Sequence, residues 1–170
     1  MTDPEFREAF SAHKGVVFRF AYRMTGSHSA AEDIVQDCFV ALWRGPGTYD
    51  SSRGHLRALL LGMARKKILK RWRAERPHEI VESETAVCAP FDVERMERRD
   101  AVERAIQALP PLQREALVLA EYEELSLDEI SRATGADLAA VKSRLHRARE
   151  NLRRMLAPLL AQKGTVCGTK

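Results

Sequence analysis

Residues 125–154 read LSLDEISRATGADLAAVKSRLHRARENLRR, and their pattern predicts how the C-terminal part of the chain folds. Ser126 followed three residues later by Glu129 has the pattern of a capping box, which predicts the start of a short helix. Gly135 is suited to the left-handed conformation that ends such a helix, and Asp137 is a good N-cap for the next one. The stretch therefore predicts a helix-turn-helix.

The second of these helices has one apolar and one basic side. Steps of three and four residues place its apolar positions on a single buried stripe. They are Leu138, Val141, Leu145, Ala148 and Leu152. The opposite side and its flanks carry Lys142, Ser143, Arg144, His146, Arg147, Arg149 and Glu150. Basic residues on an amphipathic helix are often simply solvated, but the capped first helix and the turn glycine favour a DNA reader whose side chains enter the major groove.

Charge divides the chain of 170 residues into three parts. Residues 1–75 contain 13 Lys/Arg and 8 Asp/Glu, residues 76–103 contain 4 and 8, and residues 104–170 contain 11 and 8. Two basic parts separated by an acidic one suggest two modules that each meet a polyanion. We expect an all-α protein with a helical domain over residues 1–75, a flexible acidic linker over 76–96, a second helical domain over 97–157 and a disordered tail over 158–170.

The N-terminal part predicts amphipathic helices. Apolar residues between Phe6 and Met24 indicate two short helices, or one bent at Gly15, that end near Gly26. Ser27 or Ser29 can cap the next helix, whose predicted buried stripe is Ile34, Val35, Cys38, Phe39 and Leu42. Its outer side carries Glu32, Asp33, Gln36 and Asp37. For Glu32 and Asp33 the dipole of the first helical turn is an adequate explanation.

A strongly basic helix completes this part. Residues 44–54, RGPGTYDSSRG, predict a loop. Residues 54–73 that follow contain seven Lys/Arg and no Asp/Glu. Such a helix can lie on an anionic membrane surface, but the DNA-reading module in the same chain makes nucleic acid the better partner.

Several classes of protein are disfavoured. The sequence contains neither a long apolar run nor a signal-peptide pattern, so we expect a cytoplasmic protein without direct membrane insertion. Cys38, Cys88 and Cys167 have neither zinc-site nor disulfide-framework spacing. No P-loop, H-E-x-x-H or G-x-S-x-G motif is present, and the five histidines are scattered. We therefore expect no metal, no cofactor, no small-molecule substrate and no enzymatic activity of the chain alone.

From about Phe10 to Leu156 these motifs together resemble the extracytoplasmic-function (ECF) sigma factors of bacterial RNA polymerase. SAAEDIVQDCFVALWR, residues 29–44, resembles the helix with which these factors grip the polymerase clamp, which makes Glu32, Asp33, Gln36 and Asp37 candidate polymerase contacts. The resemblance also implies promoter DNA and an anti-sigma factor as partners.

The same resemblance assigns two sets of DNA contacts. Residues 48–73 resemble the part that melts the minus-10 element and captures an unstacked base, which suits an exposed loop beside a positive track. The candidates there are Tyr49, Asp50, Ser51, Arg53, Arg57, Arg65, Lys66, Lys67 and Lys70. Residues 108–156 resemble the domain that reads the minus-35 element. Its candidates are Lys142, Ser143, Arg144, His146 and Arg147.

We therefore predict a transcription initiation factor that directs core RNA polymerase to particular promoters. One alternative is a helix-turn-helix regulator that acts outside the polymerase holoenzyme. Another is a DNA-processing enzyme such as a recombinase, for which Ser51 and Ser52 are the only evident nucleophiles. The first alternative differs from our prediction in binding promoter DNA without core polymerase.

Overall fold

Seven helices make up the described part of the chain in the computed structural model, which describes residues 2–45, 55–75, 86–88 and 97–161. Within those ranges there is no strand. The helices are α1 (Asp3–Thr25), α2 (His28–Arg44), α3 (Leu56–Glu75), α4 (Arg98–Ala108), α5 (Pro111–Glu121), α6 (Leu127–Thr134) and α7 (Leu138–Ala161). The predicted all-α fold is confirmed.

The first three helices pack together as the N-terminal domain. Helix α1 is continuous through Gly15 and ends at Gly26, whose φ of 69° is left-handed. Ser27 then caps α2 by accepting a hydrogen bond from the Ala30 amide at 3.3 Å. The core between the helices includes the fully buried side chains of Phe20 and Leu60. A capped turn thus reverses the chain and lets two apolar stripes face each other.

Helices α4 to α7 form the C-terminal domain. Helix α5 begins at Pro111, which suits the first turn of a helix because proline lacks the amide hydrogen that is left unpaired there. Leu109, Leu117 and Leu119 are buried, and so are Val141 and Met155 of α7. Helix α7 continues through Pro158 to Ala161, four residues beyond the boundary expected from the sequence.

The two domains share one apolar core rather than standing apart. Helix α1 contacts both α4 and α5, and α3 contacts α6. Buried residues therefore run continuously from Val17 in the first helix to Met155 in the last. Charge and composition predicted two modules, but they contained no sign that the modules would pack on each other.

Part of the predicted flexible linker lies on the C-terminal domain. The Ala86 carbonyl accepts hydrogen bonds from the side-chain amides of Gln113 at 3.2 Å and Asn151 at 3.0 Å, and the Cys88 amide donates to Asn151 Oδ1 at 3.0 Å. Gln113 and Asn151 are themselves buried and joined by a 2.7 Å hydrogen bond. Residues 86–88, which lie within the predicted linker, are thus hydrogen-bonded to the C-terminal domain.

Cys38 lies in the N-terminal core, as its position on the predicted stripe of α2 suggested. Its side chain is fully buried, and burial raises the pKa of the thiol to about 12. Because only the thiolate reacts with alkylating agents, we expect native protein at pH 8 to leave Cys38 unmodified by iodoacetamide. Peptide mass spectrometry after labelling, with urea-unfolded protein as the positive control, checks this. Labelling of Cys38 at the same rate in both samples would contradict its placement.

Candidate nucleic-acid interface

A tightly capped turn joins α6 to α7. The Ser126 amide donates to Glu129 Oε2 at 2.8 Å and the Glu129 amide donates to Ser126 Oγ at 3.3 Å, so the predicted capping box is formed. Gly135 ends α6 with a φ of 71°, a conformation that residues with a Cβ adopt at a cost. Asp137 accepts from the Ala140 amide at 2.7 Å and fixes the start of α7. The helix-turn-helix is therefore built as its local sequence predicts.

The stripe by which α7 packs differs in part from the predicted one. Val141, Leu145 and Ala148 are buried as expected, whereas Leu138 is 36% exposed and Leu152 is half-buried. The buried line instead continues through Asn151 and Met155. The prediction was wrong at Leu138, the first residue of α7, whereas Leu152 packs against the core as expected. The predicted stripe also left out the polar Asn151, which is buried.

The predicted minus-35 contacts lie along one side of α7. Lys142 and His146 are exposed, and Ser143, Arg144 and Arg147 are half-buried. Arg144 also acts on the interior: burial raises the pKa of the Glu115 carboxyl, and the charge of Arg144 is among those that oppose this rise. A helix whose first turns present lysine, histidine and arginine has the donors that guanine edges and phosphates require.

The capping box makes a testable contribution to this geometry. Hydrogen bonds from the Ser126 amide and hydroxyl lower the pKa of Glu129. We expect Ser126→Ala to lower the free energy of unfolding by about 1 kcal/mol, as measured by urea denaturation at neutral pH. Ser11→Ala, an exposed serine inside α1, is the matched control and should change stability little.

The same box predicts how that difference depends on pH. A carboxyl whose pKa is lower in the folded state stabilises the fold above its unfolded pKa, and this stabilisation is lost as the pH falls through the lowered value. The stability difference between wild type and Ser126→Ala should therefore shrink in acid. A difference that grows in acid would contradict a charged Glu129 in the cap.

The basic track on α3 is only partly open to solvent. Lys66 and Lys70 are exposed. Lys67 Nζ lies 2.8 Å from Asp37 Oδ2 on α2, and thus pairs a predicted strand contact with a predicted polymerase contact. Arg57 and Arg65 both reach across to carboxylates of the C-terminal domain. The five predicted α3 residues therefore do not form one free cationic surface in this structure.

Glu115 is the partner of Arg65, and the pair is nearly removed from water. Arg65 Nε donates to Glu115 Oε1 at 2.6 Å and Arg65 Nη2 donates to Oε2 at 3.3 Å. The Glu115 side chain is 2% exposed. Burial raises the pKa of this carboxyl, while the charge and the hydrogen bonds of Arg65 oppose the rise. Arg65 thus offsets the energetic cost of burying a charged carboxylate at Glu115.

The predicted polymerase contacts form an exposed polar surface on α2. Glu32, Asp33, Gln36 and Asp37 are all exposed. Because α2 begins at His28 and its first turn contains no acidic residue, the helix dipole does not account for Glu32 and Asp33. Trp43, which is 49% exposed, lies further along the same helix in edge-to-face contact with Phe6. An exposed aromatic ring is suited to a protein partner, because aromatic residues are enriched at protein interfaces.

Two comparisons with known sequences identify the family. The family described as Sigma-70 region 2 matches residues 9–78, and the one described as Sigma-70, region 4 matches residues 99–152. The chain is also 30% identical over 160 residues to the ECF RNA polymerase sigma factor SigK of Mycobacterium tuberculosis, which covers 89% of this chain and 85% of that protein. The chain belongs to the ECF RNA polymerase sigma factors.

Further relatives agree with this assignment. The ECF RNA polymerase sigma factor SigE of Mycolicibacterium smegmatis is 33% identical over 162 residues, and the match spans 91% of this chain and 62% of SigE. A co-crystal structure of the sigma factor RpoE with the anti-sigma factor NepR from Bartonella quintana has the same fold, with a TM-score of 0.71 and 22% identity over 90% of this chain and 97% of that one. The predicted family and its two helical domains are confirmed.

Several predicted contacts of this ECF sigma factor fall outside the described residues. They are Tyr49, Asp50, Ser51 and Arg53 of the predicted base-capturing loop, and Ser52 of the recombinase alternative lies there too. Among the described residues no three His, Cys, Asp or Glu side chains are grouped to hold a metal ion. In the same part of the chain no helix is long and apolar enough to cross a membrane.

Sequence reasoning missed four residues of this ECF sigma factor that organise the interior. They are the buried Gln113, Glu115, Glu123 and Asn151. Neither Glu115, which lies among leucines in α5, nor Glu123 was predicted to be buried. Buried polar residues require partners, and here the partners are as distant in sequence as Arg57 and Arg65, so no local pattern indicates them.

Proposed function

We propose that this chain is a transcription initiation factor that binds core RNA polymerase and directs it to particular promoters. The observation that carries the proposal is the pairing of a capped helix-turn-helix with a second helical domain whose α3 is basic, in a chain of the ECF sigma factor family. The family assignment favours this function over that of a regulator outside the holoenzyme.

Each domain has a separate task in this proposal. Phosphate contacts position each domain on DNA, and contacts to bases choose the sequence. We assign minus-35 reading to the Lys142 to Arg147 side of α7 and strand capture at the minus-10 element to the loop over residues 47–53 with α3. The exposed residues Glu32, Asp33, Gln36 and Asp37 of α2 bind the polymerase.

Two further properties follow from this function. Binding alone performs the work, because holding the melted strand stabilises the open duplex without any covalent step by this chain. The site of action is the cytoplasm, where polymerase and promoter DNA meet. An anti-sigma factor that covers the polymerase and DNA surfaces would hold the chain inactive, in line with the NepR complex of the structurally similar RpoE.

Run-off transcription tests the proposal directly. Purified core polymerase is incubated with a library of promoter fragments, with and without this protein. We expect new, discrete start sites only when the protein is present, and their upstream sequences would define both promoter elements. Binding to duplex promoter DNA without core polymerase, and no new start sites, would instead support the regulator.

A further inference from the structure

A cavity of about 430 Å³ lies between the second half of α1, α4 and the turn that follows α5. This volume is within the range of small-molecule sites. Gln107 of α4 donates to the Arg23 carbonyl of α1 at 2.7 Å and so joins two walls of the cavity. No described residue to which we assign polymerase or DNA binding lines it. The walls therefore come mainly from packed helices, and the cavity is separate from the surfaces discussed above.

The cavity is positively charged. Guanidinium groups from α1 and α4 surround it together with fewer carboxylates, and these side chains are Arg19, Arg23, Arg99, Arg104, Asp100 and Glu103. Four positive and two negative charges leave a net charge of +2. Like charges that lie close together repel each other, and an anion among them relieves this repulsion. The charge of the cavity thus favours an anionic ligand.

Two of these arginines already have partners within the cavity. Arg99 Nε lies 3.3 Å from Glu103 Oε1. The Arg23 guanidinium lies 3.9 Å from the centre of the Tyr122 ring, a favourable cation–π distance. Glu103 therefore offsets the charge of Arg99, and Arg23 covers one face of Tyr122.

The other two arginines are available to a ligand. The side chains of Arg19 and Arg104 are exposed, and neither forms an ion pair or a hydrogen bond within the described part of the chain. Asp100 lies four residues before Arg104, a spacing at which ion pairs commonly form in helices, yet these two side chains are not paired. Guanidinium groups bind phosphate through two parallel hydrogen bonds. Arg19 on the α1 wall and Arg104 on the α4 wall can therefore hold a phosphate chain between them.

The α1 wall also presents aromatic rings. Residues four apart lie one above the other on a helix, so Phe18 and Tyr22 form a row beside the row of Arg19 and Arg23. The two rings are stacked, with their centroids 6.2 Å apart and their planes 6° from parallel. Tyr22 is 38% exposed. A nucleotide base can stack on such a ring, because every base has an aromatic face.

We propose that this cavity binds a nucleoside triphosphate. Arg19 and Arg104 bind the phosphates, the base lies against the Tyr22 ring, and Asp100 accepts a hydrogen bond from an amino group of the base. A phosphate ion alone would leave the ring and the carboxylate without a role, whereas a nucleotide uses both. The proposal does not rest on the proposed function, because the cavity contains none of the described residues assigned to DNA or polymerase.

Isothermal titration calorimetry of the full chain with ATP, and separately with GTP, tests the proposal. A salt concentration of about 0.15 M screens weak attraction to exposed basic surfaces. Arg19→Gln combined with Arg104→Gln removes the two phosphate-binding groups. Arg7→Gln combined with Arg98→Gln is the matched control, because it also removes one exposed arginine from α1 and one from α4, and neither of these lines the cavity.

We expect the wild type and the control to bind both nucleotides with similar dissociation constants. The cavity variant should bind about tenfold more weakly or worse, because charge-assisted hydrogen bonds to phosphate are lost. A ligand that binds only the folded chain raises its melting temperature. ATP should therefore raise the melting temperature of the wild type and of the control, but not that of the cavity variant.

Photolabelling locates the bound nucleotide without any substitution. The full chain is irradiated with 8-azido-ATP and digested, and the labelled peptides are identified by mass spectrometry. We expect the label on peptides from the second half of α1 or from α4, and excess ATP should prevent the labelling. This readout also decides the question if circular dichroism shows that the cavity variant does not fold.

Several results would overturn the proposal. They are the absence of ATP and GTP binding to the wild type, an equal loss of affinity in the cavity variant and the control, and photolabel confined to α3 or α7. Inorganic tripolyphosphate that binds as tightly as ATP would show a site for charge alone and would overturn the role given to the base. None of these results bears on promoter recognition, which run-off transcription tests separately.

Discussion

Replacing Phe20 with alanine is expected to lower the free energy of unfolding by about 3–5 kcal/mol, the range for deleting a buried aromatic side chain. Phe20 is fully buried in α1, the helix that contacts both domains. The cavity would therefore weaken the common core rather than one domain. Urea denaturation should show a lower midpoint with an unchanged slope.

Phe10→Ala is the control for this prediction. Phe10 is on the same helix and is 37% exposed, with its ring in edge-to-face contact with Phe39 at 4.8 Å between centroids. Its removal should cost about 1 kcal/mol, the worth of an aromatic pair. Equal losses for Phe10 and Phe20 would show that the N-terminal core is not packed as described.

Arg147→Ala is expected to weaken binding of the holoenzyme to its promoter by about 1–3 kcal/mol if Arg147 reads a base. Anisotropy titrations on the promoter found by run-off transcription, and on the same fragment with a scrambled minus-35 element, measure the effect. A base contact predicts a large loss on the promoter and a small one on the scrambled fragment.

Arg153→Ala is the matched variant for the same helix. Arg153 pairs with Glu150 on α7 and lies beyond the turns assigned to DNA reading, so its loss should change affinity little. If Arg147→Ala weakens binding equally on both fragments, Arg147 holds phosphate only and the assigned base contact is wrong.

Elements encoded by short-range patterns could be predicted from the sequence. The capping box at Ser126 and Glu129, the turn at Gly135 and the N-cap at Asp137 each join groups at most three or four residues apart, and all were found as expected. The wheel of α7 placed His146 opposite the buried stripe and Lys142 on its flank, and both are exposed. Ser143, Arg147 and Glu150, which the wheel also placed opposite the stripe, are half-buried. Because its hydrogen bonds are local, the helix-turn-helix could be predicted from the sequence.

The contacts between the domains could not be predicted in this way. Arg65 and Glu115 are 50 residues apart, and Arg57 and Glu123 are 66 apart. In the sequence these arginines belong to a positive run, for which solvation is the ordinary explanation. Only the three-dimensional path of the chain brings each to a buried carboxylate. Asn151 was missed for a related reason, because its role is to hydrogen-bond the distant backbone groups of Ala86 and Cys88.

The amide pair of Gln113 and Asn151 also shortens the free segment that connects the two domains. An extended chain spans about 3.4 Å per residue, so the 23 steps from Glu75 to Arg98 could reach about 80 Å. With Ala86 held on the C-terminal domain, only 11 steps remain beyond Glu75, or about 40 Å. The hydrogen bonds of these two side chains to Ala86 thus make the free connecting segment about half as long. Loss of these hydrogen bonds would lengthen the segment without any inserted residue.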